Sequence, residues 1–105
     1  MNITEPRIER YLEQTRIPLR LACTEASDWP VVLSLWFLYE NGRIYCATRH
    51  DARVATYLRE CPRCGFEIAG DEPPYCGIRG QGDVQIDPSI GGDVLERLLV
   101  RYLGS

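Results

Sequence analysis

The stretch Cys61-Pro62-Arg63-Cys64-Gly65 is the first place to look for chemistry, because two thiols at CxxC spacing form half of a zinc ribbon. The same spacing permits a regulatory disulfide. A closed structural zinc site needs four ligands, commonly two such pairs about 15–20 residues apart. Downstream, Tyr75-Cys76-Gly77 adds a single cysteine, and a fourth ligand would have to come from Cys46, His50 or Asp71 at no recognised spacing. A second reading uses the same letters with no missing ligand. Pro62 disfavours helical geometry at Cys61 and stops a helix, Arg63 turns the chain, and Cys64, Phe66 and Ile68 alternate along one face of a strand.

Elsewhere the residue types exclude more than they nominate. All twelve basic residues are arginines. With no lysine, Schiff-base chemistry is excluded, and any phosphate or carboxylate held by a side-chain cation is held by a planar guanidinium suited to bidentate contact. His50 is the one histidine, placed before Asp51 in a polar stretch that reads as an exposed loop, where it could donate a proton to a bound group. No Ser-His-Asp, Cys-His or paired-carboxylate constellation is present, so demanding chemistry here would belong to a cofactor. The net charge is -3 and the arginines are spread from Arg7 to Arg101, which points away from a nucleic-acid backbone partner.

At 105 residues the chain reads as one domain. A core of this size buries only about 60–70% of the unfolded surface, so pairing with a second copy is expected. Hydrophobic residues at 45% and charged residues at 26% are ordinary for a globular protein. The amino terminus has no signal-like region, and no apolar run is long enough to span a membrane, so a cytoplasmic location with no membrane partner is expected. There the five cysteines would be reduced, most of them as small core residues.

The elements follow from periodicity. Thr4 can cap a first helix with Pro6 early in it and Ile8, Tyr11 and Leu12 on one face. Ile17, Leu19, Leu21 and Cys23 then alternate with polar or small residues, as in a strand with one covered face. Residues 30–39 are almost continuously apolar, which predicts a single strand covered on both faces, with Trp36, Phe37 and Tyr39 as core or interface aromatics. Asn41-Gly42 signals a two-residue hairpin turn. Asp51 can cap a second helix to about Glu60, with Val54, Ala55 and Leu58 inward. Arg63 to Ala69 reads as a strand, and residues 75–86 as a long strand with one polar face whose Gly77, Gly80 and Gly82 imply bending or close backbone approach. Asp93 and Glu96 form a capping-box pair ahead of Leu95, Leu98, Leu99 and Tyr102.

This order of elements, with PVVLSLWFLYENGRIYCAT, ARVATYLRECPR, CGFEIAG and PPYCGIRGQGDVQI, resembles the pyridoxamine 5'-phosphate oxidase-like family of FMN-binding split barrels from about Ile17 to Leu103. The resemblance implies a mainly β fold with short helices, a small antiparallel split barrel of the flavin-reductase type. It also implies a homodimer with an FMN site at the interface and oxidoreductase activity on a small molecule. By position, Thr48 and Arg53 match the family's phosphate-binding residues, Arg49 is a plausible second cation, and Val32, Leu33 and Ser34 match the segment running along the flavin. A helix N-terminus beside Arg53 favours an anion on physical grounds alone. Two departures stand out. Val54 occupies the place of the oxidases' second basic residue, and the sequence stops after the helix that usually precedes a last barrel strand, where the oxidases hold pyridoxine. True pyridoxamine-phosphate oxidation is therefore not expected. The same fold without catalysis, carrying flavin, F420 or haem, is the alternative, with the zinc reading of Cys61 and Cys64 third.

Overall fold

The computed structural model describes residues 5–104. The first helix, α1 (Pro6–Gln14), starts where proline suits the first turn. Its cap is Glu5, whose carboxylate accepts the N–H groups of Arg7 and Ile8 at 3.1 Å each. Thr4, expected as the cap, lies outside the described residues. Leu12 is fully buried, with Ile8 and Tyr11 packed beside the same core.

Four strands form the main sheet in the order β2-β1-β5-β6, all neighbours antiparallel: β1 (Leu19–Thr24), β2 (Pro30–Leu35), β5 (Arg63–Ala69) and β6 (Gly77–Asp83). The alternation of β1 is realised directly, with Leu19, Leu21 and Cys23 buried. The expected single strand over residues 30–39 is instead broken. β2 ends at Leu35, Trp36 and Phe37 form a crossing, and β3 (Leu38–Glu40) pairs with β4 (Arg43–Tyr45) in a separate two-stranded sheet. Within this single chain only one of its faces is covered. Val31, Leu33 and Leu35 turn towards the core, while Pro30, Val32 and Ser34 face outward and Val32 is 68% exposed. Hydrophobicity along the chain does not register a change of sheet.

Local signals fared better. Asn41 and Gly42 both take positive φ, 51° and 81°, and join β3 to β4 through a two-residue turn. The second helix, α2 (Arg53–Glu60), buries Val54, Ala55 and Leu58 and ends at Cys61 in extended geometry before Pro62. Asp51 does not cap it; Ala52 holds that position and offers no side-chain bond. Two of the three strand glycines answer a close approach. A Cβ at Gly77 would lie 2.4 Å from that of Ala69, and one at Gly80 would meet the Phe66 ring at 2.9 Å, whereas Gly82 has nothing within 4 Å.

A short 3-10 turn (Pro88–Ile90), capped by Asp87, leads into α3 (Gly91–Leu103). The expected capping box is absent. Asp93 lies inside the helix, 3.7 Å from Arg97, whose guanidinium also pairs with Glu40 on β3. The buried face is Val94 and Leu98 with Tyr102 against Leu38, and Leu95 is half exposed rather than inward. Among the described residues, no helix is long and apolar enough to cross a membrane.

The largest fully buried side chain is Phe37, at the crossing between the two sheets. Arg101 of α3 lies over its ring, 5.0 Å from the centroid, and donates to the carbonyls of Leu12, Glu13 and Thr15 at 2.7, 3.0 and 2.6 Å. Those are the carbonyls that the end of α1 leaves unpaired. Trp36 stacks on Tyr102 at 4.8 Å, and the Phe37 N–H donates to the Tyr102 hydroxyl at 3.3 Å. The carboxy-terminal helix thereby fastens both the crossing and α1.

Candidate functional site

The loop between β4 and α2 carries two of the expected cofactor residues, Thr48 and Arg49, followed by His50. Thr48, Arg49 and His50 are exposed, and the Thr48 hydroxyl donates to the Arg49 carbonyl at 2.9 Å. Arg49 is held by Asp51 in a fork, Nε to Oδ1 and Nη2 to Oδ2 at 3.1 Å each. Arg59, one helix turn and more downstream, donates to the His50 carbonyl at 3.1 Å and keeps the loop folded over α2.

Arg53 stands in the first turn of α2, exposed, with no hydrogen-bond or ion-pair partner among the described residues. The N–H groups of Arg53 and Val54 begin the helix, where no intrahelical acceptor exists, and no side chain caps them. An open helix N-terminus beside a free guanidinium is an arrangement for a phosphate-like anion. Asp51 competes for Arg49 nearby, so Arg53 is the cation left available. Val54, where the oxidases carry a second base, is buried. A charged side chain there would have to enter the core beneath α2.

Val32 and Ser34 lie elsewhere, on the outward face of β2, while the Leu33 side chain turns inward against the core. They share that outer sheet face with a shallow dish of about 550 Å³, floored by Ala22 and Gly65 and bordered by Val32, Arg20, Arg79 and Gln81. Arg20 sits 4.0 Å from Glu67 and donates to the Ala69 carbonyl, whereas Arg79 has no partner among the described residues. The dish was not legible as a site. Its floor is the pair Ala22 and Gly65, two small residues forty-odd positions apart that only the β1–β5 register brings together. Loop and dish do not merge into one enclosed cleft within this chain.

The thiols of CPRCG part company. Among the described residues, no three His, Cys, Asp or Glu side chains form a group that could hold a metal ion. Cys64 packs against the core cluster and burial pushes its thiol up, with Cys23 adding to the shift. Burial and the neighbouring Cys64 push Cys46 up to about 12.

No protein-family model and no curated protein matches the chain. Solved structures do. An F420 reductase superposes with a TM-score of 0.82 at 20% identity over 98% of this chain and 81% of that one. The haem storage protein HutZ from Vibrio cholerae gives 0.70 at 22%, over 97% and 77%. An FAD-binding protein from Mesorhizobium loti gives 0.70 at 19%, over 99% and 80%. Across similar structures the chain spans from 66% to 81% of the other protein's length. The antiparallel sheet with its displaced hairpin and short helices is thus the split β-barrel of the flavin-reductase and pyridoxamine-phosphate-oxidase type.

Proposed function

We propose that this chain binds a flavin-type cofactor, FMN first, as a homodimer, and acts as an oxidoreductase on a small molecule. The observation that carries the reading is the uncapped N-terminus of α2 with the unpartnered Arg53 in its first turn. Those donors, with Thr48 beside them, fit the phosphate of FMN in charge and in hydrogen-bonding type. A bound flavin supplies hydride or electron transfer, and the chain's own part is to hold the phosphate and to keep water from the ring. The exposed Val32 and Ser34 and the uncovered sheet face beside them support a second copy completing the site. That face carries Arg20, Arg79 and Glu67, so a two-fold related copy can set arginine against glutamate.

A second reading is a module that carries flavin, F420 or haem without turnover. It is favoured by the absence, among the described residues, of any buried charged group poised as acid or base, and by the storage role named for one of the similar structures. The test is an absorption spectrum of the purified protein after adding FMN, F420 or haem and removing what is unbound. Retained FMN with reduction by a nicotinamide or other donor supports the enzyme. Retained chromophore without turnover supports the carrier, and no retained chromophore removes both.

A further inference from the structure

The cysteines suggested by CxxC spacing are not the ones that the fold brings together. Cys61 is the extended residue ending α2 and Arg63 already belongs to β5, while the Pro62 carbonyl accepts from Val84 as a continuation of the β5–β6 ladder. Three extended residues separate the Cys61 and Cys64 Cα atoms by about 10 Å. A disulfide needs less than about 7 Å. Cys61 and Cys64 therefore cannot bridge without moving the backbone.

Cys64 has another neighbour. The β1–β5 register runs Arg20 to Glu67, Leu21 to Phe66 and Ala22 to Gly65; continued by one step it would set Cys23 against Cys64, and Cys23 is near enough to push the Cys64 thiol up. Opposed residues of an antiparallel pair place their Cα atoms about 4.5–5.5 Å apart with side chains on one face, inside the range a disulfide accepts. Here that face is the core side: Cys23 belongs to the buried cluster, and Cys64, half-buried, packs against it. The paired ladder stops one step short, at Ala22 and Gly65, so the two strands have room to adjust where the link would form.

We infer that Cys23 and Cys64 are an oxidisable cross-strand pair that a hydroperoxide converts into a disulfide joining β1 to β5. The thiolate of Cys64, the less buried of the two residues, attacks the outer peroxide oxygen, the O–O bond breaks, and Cys64 becomes a sulfenic acid as water or an alcohol leaves with the thiol proton of Cys64. The Cys23 thiolate then attacks that sulfur, the S–S bond forms, and the departing hydroxide takes up the thiol proton as water. Two thiols lose two electrons and the peroxide gains them. Burial holds both thiols above the ordinary cysteine range, so formation is slow and, with poor leaving groups, the product resists reduction. The adjacent pair Ala22 and Gly65 floors the dish on the opposite face, and the cross-link would fix the spacing of that floor.

Because the chain lacks lysine, cleavage after arginine alone separates the thiols: Cys23 falls in residues 21–43, Cys46 in 44–49, Cys61 in 60–63, and Cys64 with Cys76 in 64–79. The experiment treats the Cys76→Ser variant with hydrogen peroxide, unfolds it, blocks free thiols, and maps the digest without reductant. Cys76 is exposed, so its replacement leaves the core intact. The expected product links peptides 21–43 and 64–79, two hydrogens lighter than their sum, and dithiothreitol releases it. A link from 64–79 to 60–63 or to 44–49 overturns the inference, as does one from 21–43 to 60–63, since Cys61 also lies near enough to Cys23 to push its thiol up. So does recovery of Cys23 and Cys64 as blocked free thiols while Cys61 is oxidised. None of these outcomes depends on cofactor binding.

Discussion

Two arginines of one chain meet opposite fates. Arg101 reaches from α3 under the end of α1, donates to three backbone carbonyls and lies over the Phe37 ring. Arg53 stands at the start of α2 with no partner among the described residues, beside helix donors that nothing caps. The first satisfies groups the fold would otherwise leave unpaired; the second adds nothing visible to the folded state. A cation that the structure does not use for its own stability is the one available to a ligand.

That contrast can be broken most directly at the crossing. Phe37→Ala should cost about 3–5 kcal/mol of stability by denaturant unfolding, the loss for a fully buried aromatic; a much smaller cost would mean the Arg101 region is not central to the fold. Arg101→Ala should follow at about 2–4 kcal/mol, since three carbonyls lose a charged donor. Arg101→Lys should recover only part of this, because one ammonium cannot span all three positions. Arg53→Ala should leave the unfolding midpoint nearly unchanged but weaken FMN binding by about 1–3 kcal/mol in a titration. A stability loss there instead would erase the distinction. Asp51→Asn, which frees Arg49 and removes a carboxylate near the loop, should tighten FMN binding by a few tenths of a kcal/mol, the scale of an exposed pair. The smallest effect concerns Glu5, whose carboxyl is held below its ordinary range mainly by the Arg7 N–H. Its folded pKa is depressed, so its help to α1 is complete above the unfolded glutamate pKa of about 4.3 and disappears as pH falls through the lower folded value. Protection of the Arg7 and Ile8 amides, relative to their intrinsic exchange at each pH, should fall over that acid range and show no such step above it.

Where residues act through their immediate neighbours, the sequence was a good guide. Asn41-Gly42 makes its hairpin and Pro62 ends α2, because both work through backbone geometry within a few residues. Two expected caps failed for different reasons. Asp51 falls one residue short of the cap position and pairs with Arg49, whereas Asp93 is already the third residue of α3, which starts at Gly91 after the turn capped by Asp87. Trp36 and Phe37 read as the middle of an apolar strand, yet they are the point where the chain leaves one sheet for the other. For the loop, the family resemblance nominated Thr48 and Arg53 with Arg49 beside them, and Arg53 does stand in the first turn of α2. That Arg49 is occupied and Arg53 is not depends on side-chain geometry that spacing does not carry.

The stacked pair at the crossing also makes the protein its own optical probe. Trp36 lies parallel to Tyr102, within 3°, whereas Trp29 is 71% exposed in the turn between β1 and β2. The two indoles therefore sit in contrasting surroundings, one against an aromatic ring and the other in water. With Trp29 replaced by Phe, the remaining emission would come from Trp36 alone and would follow whether the carboxy-terminal helix is seated.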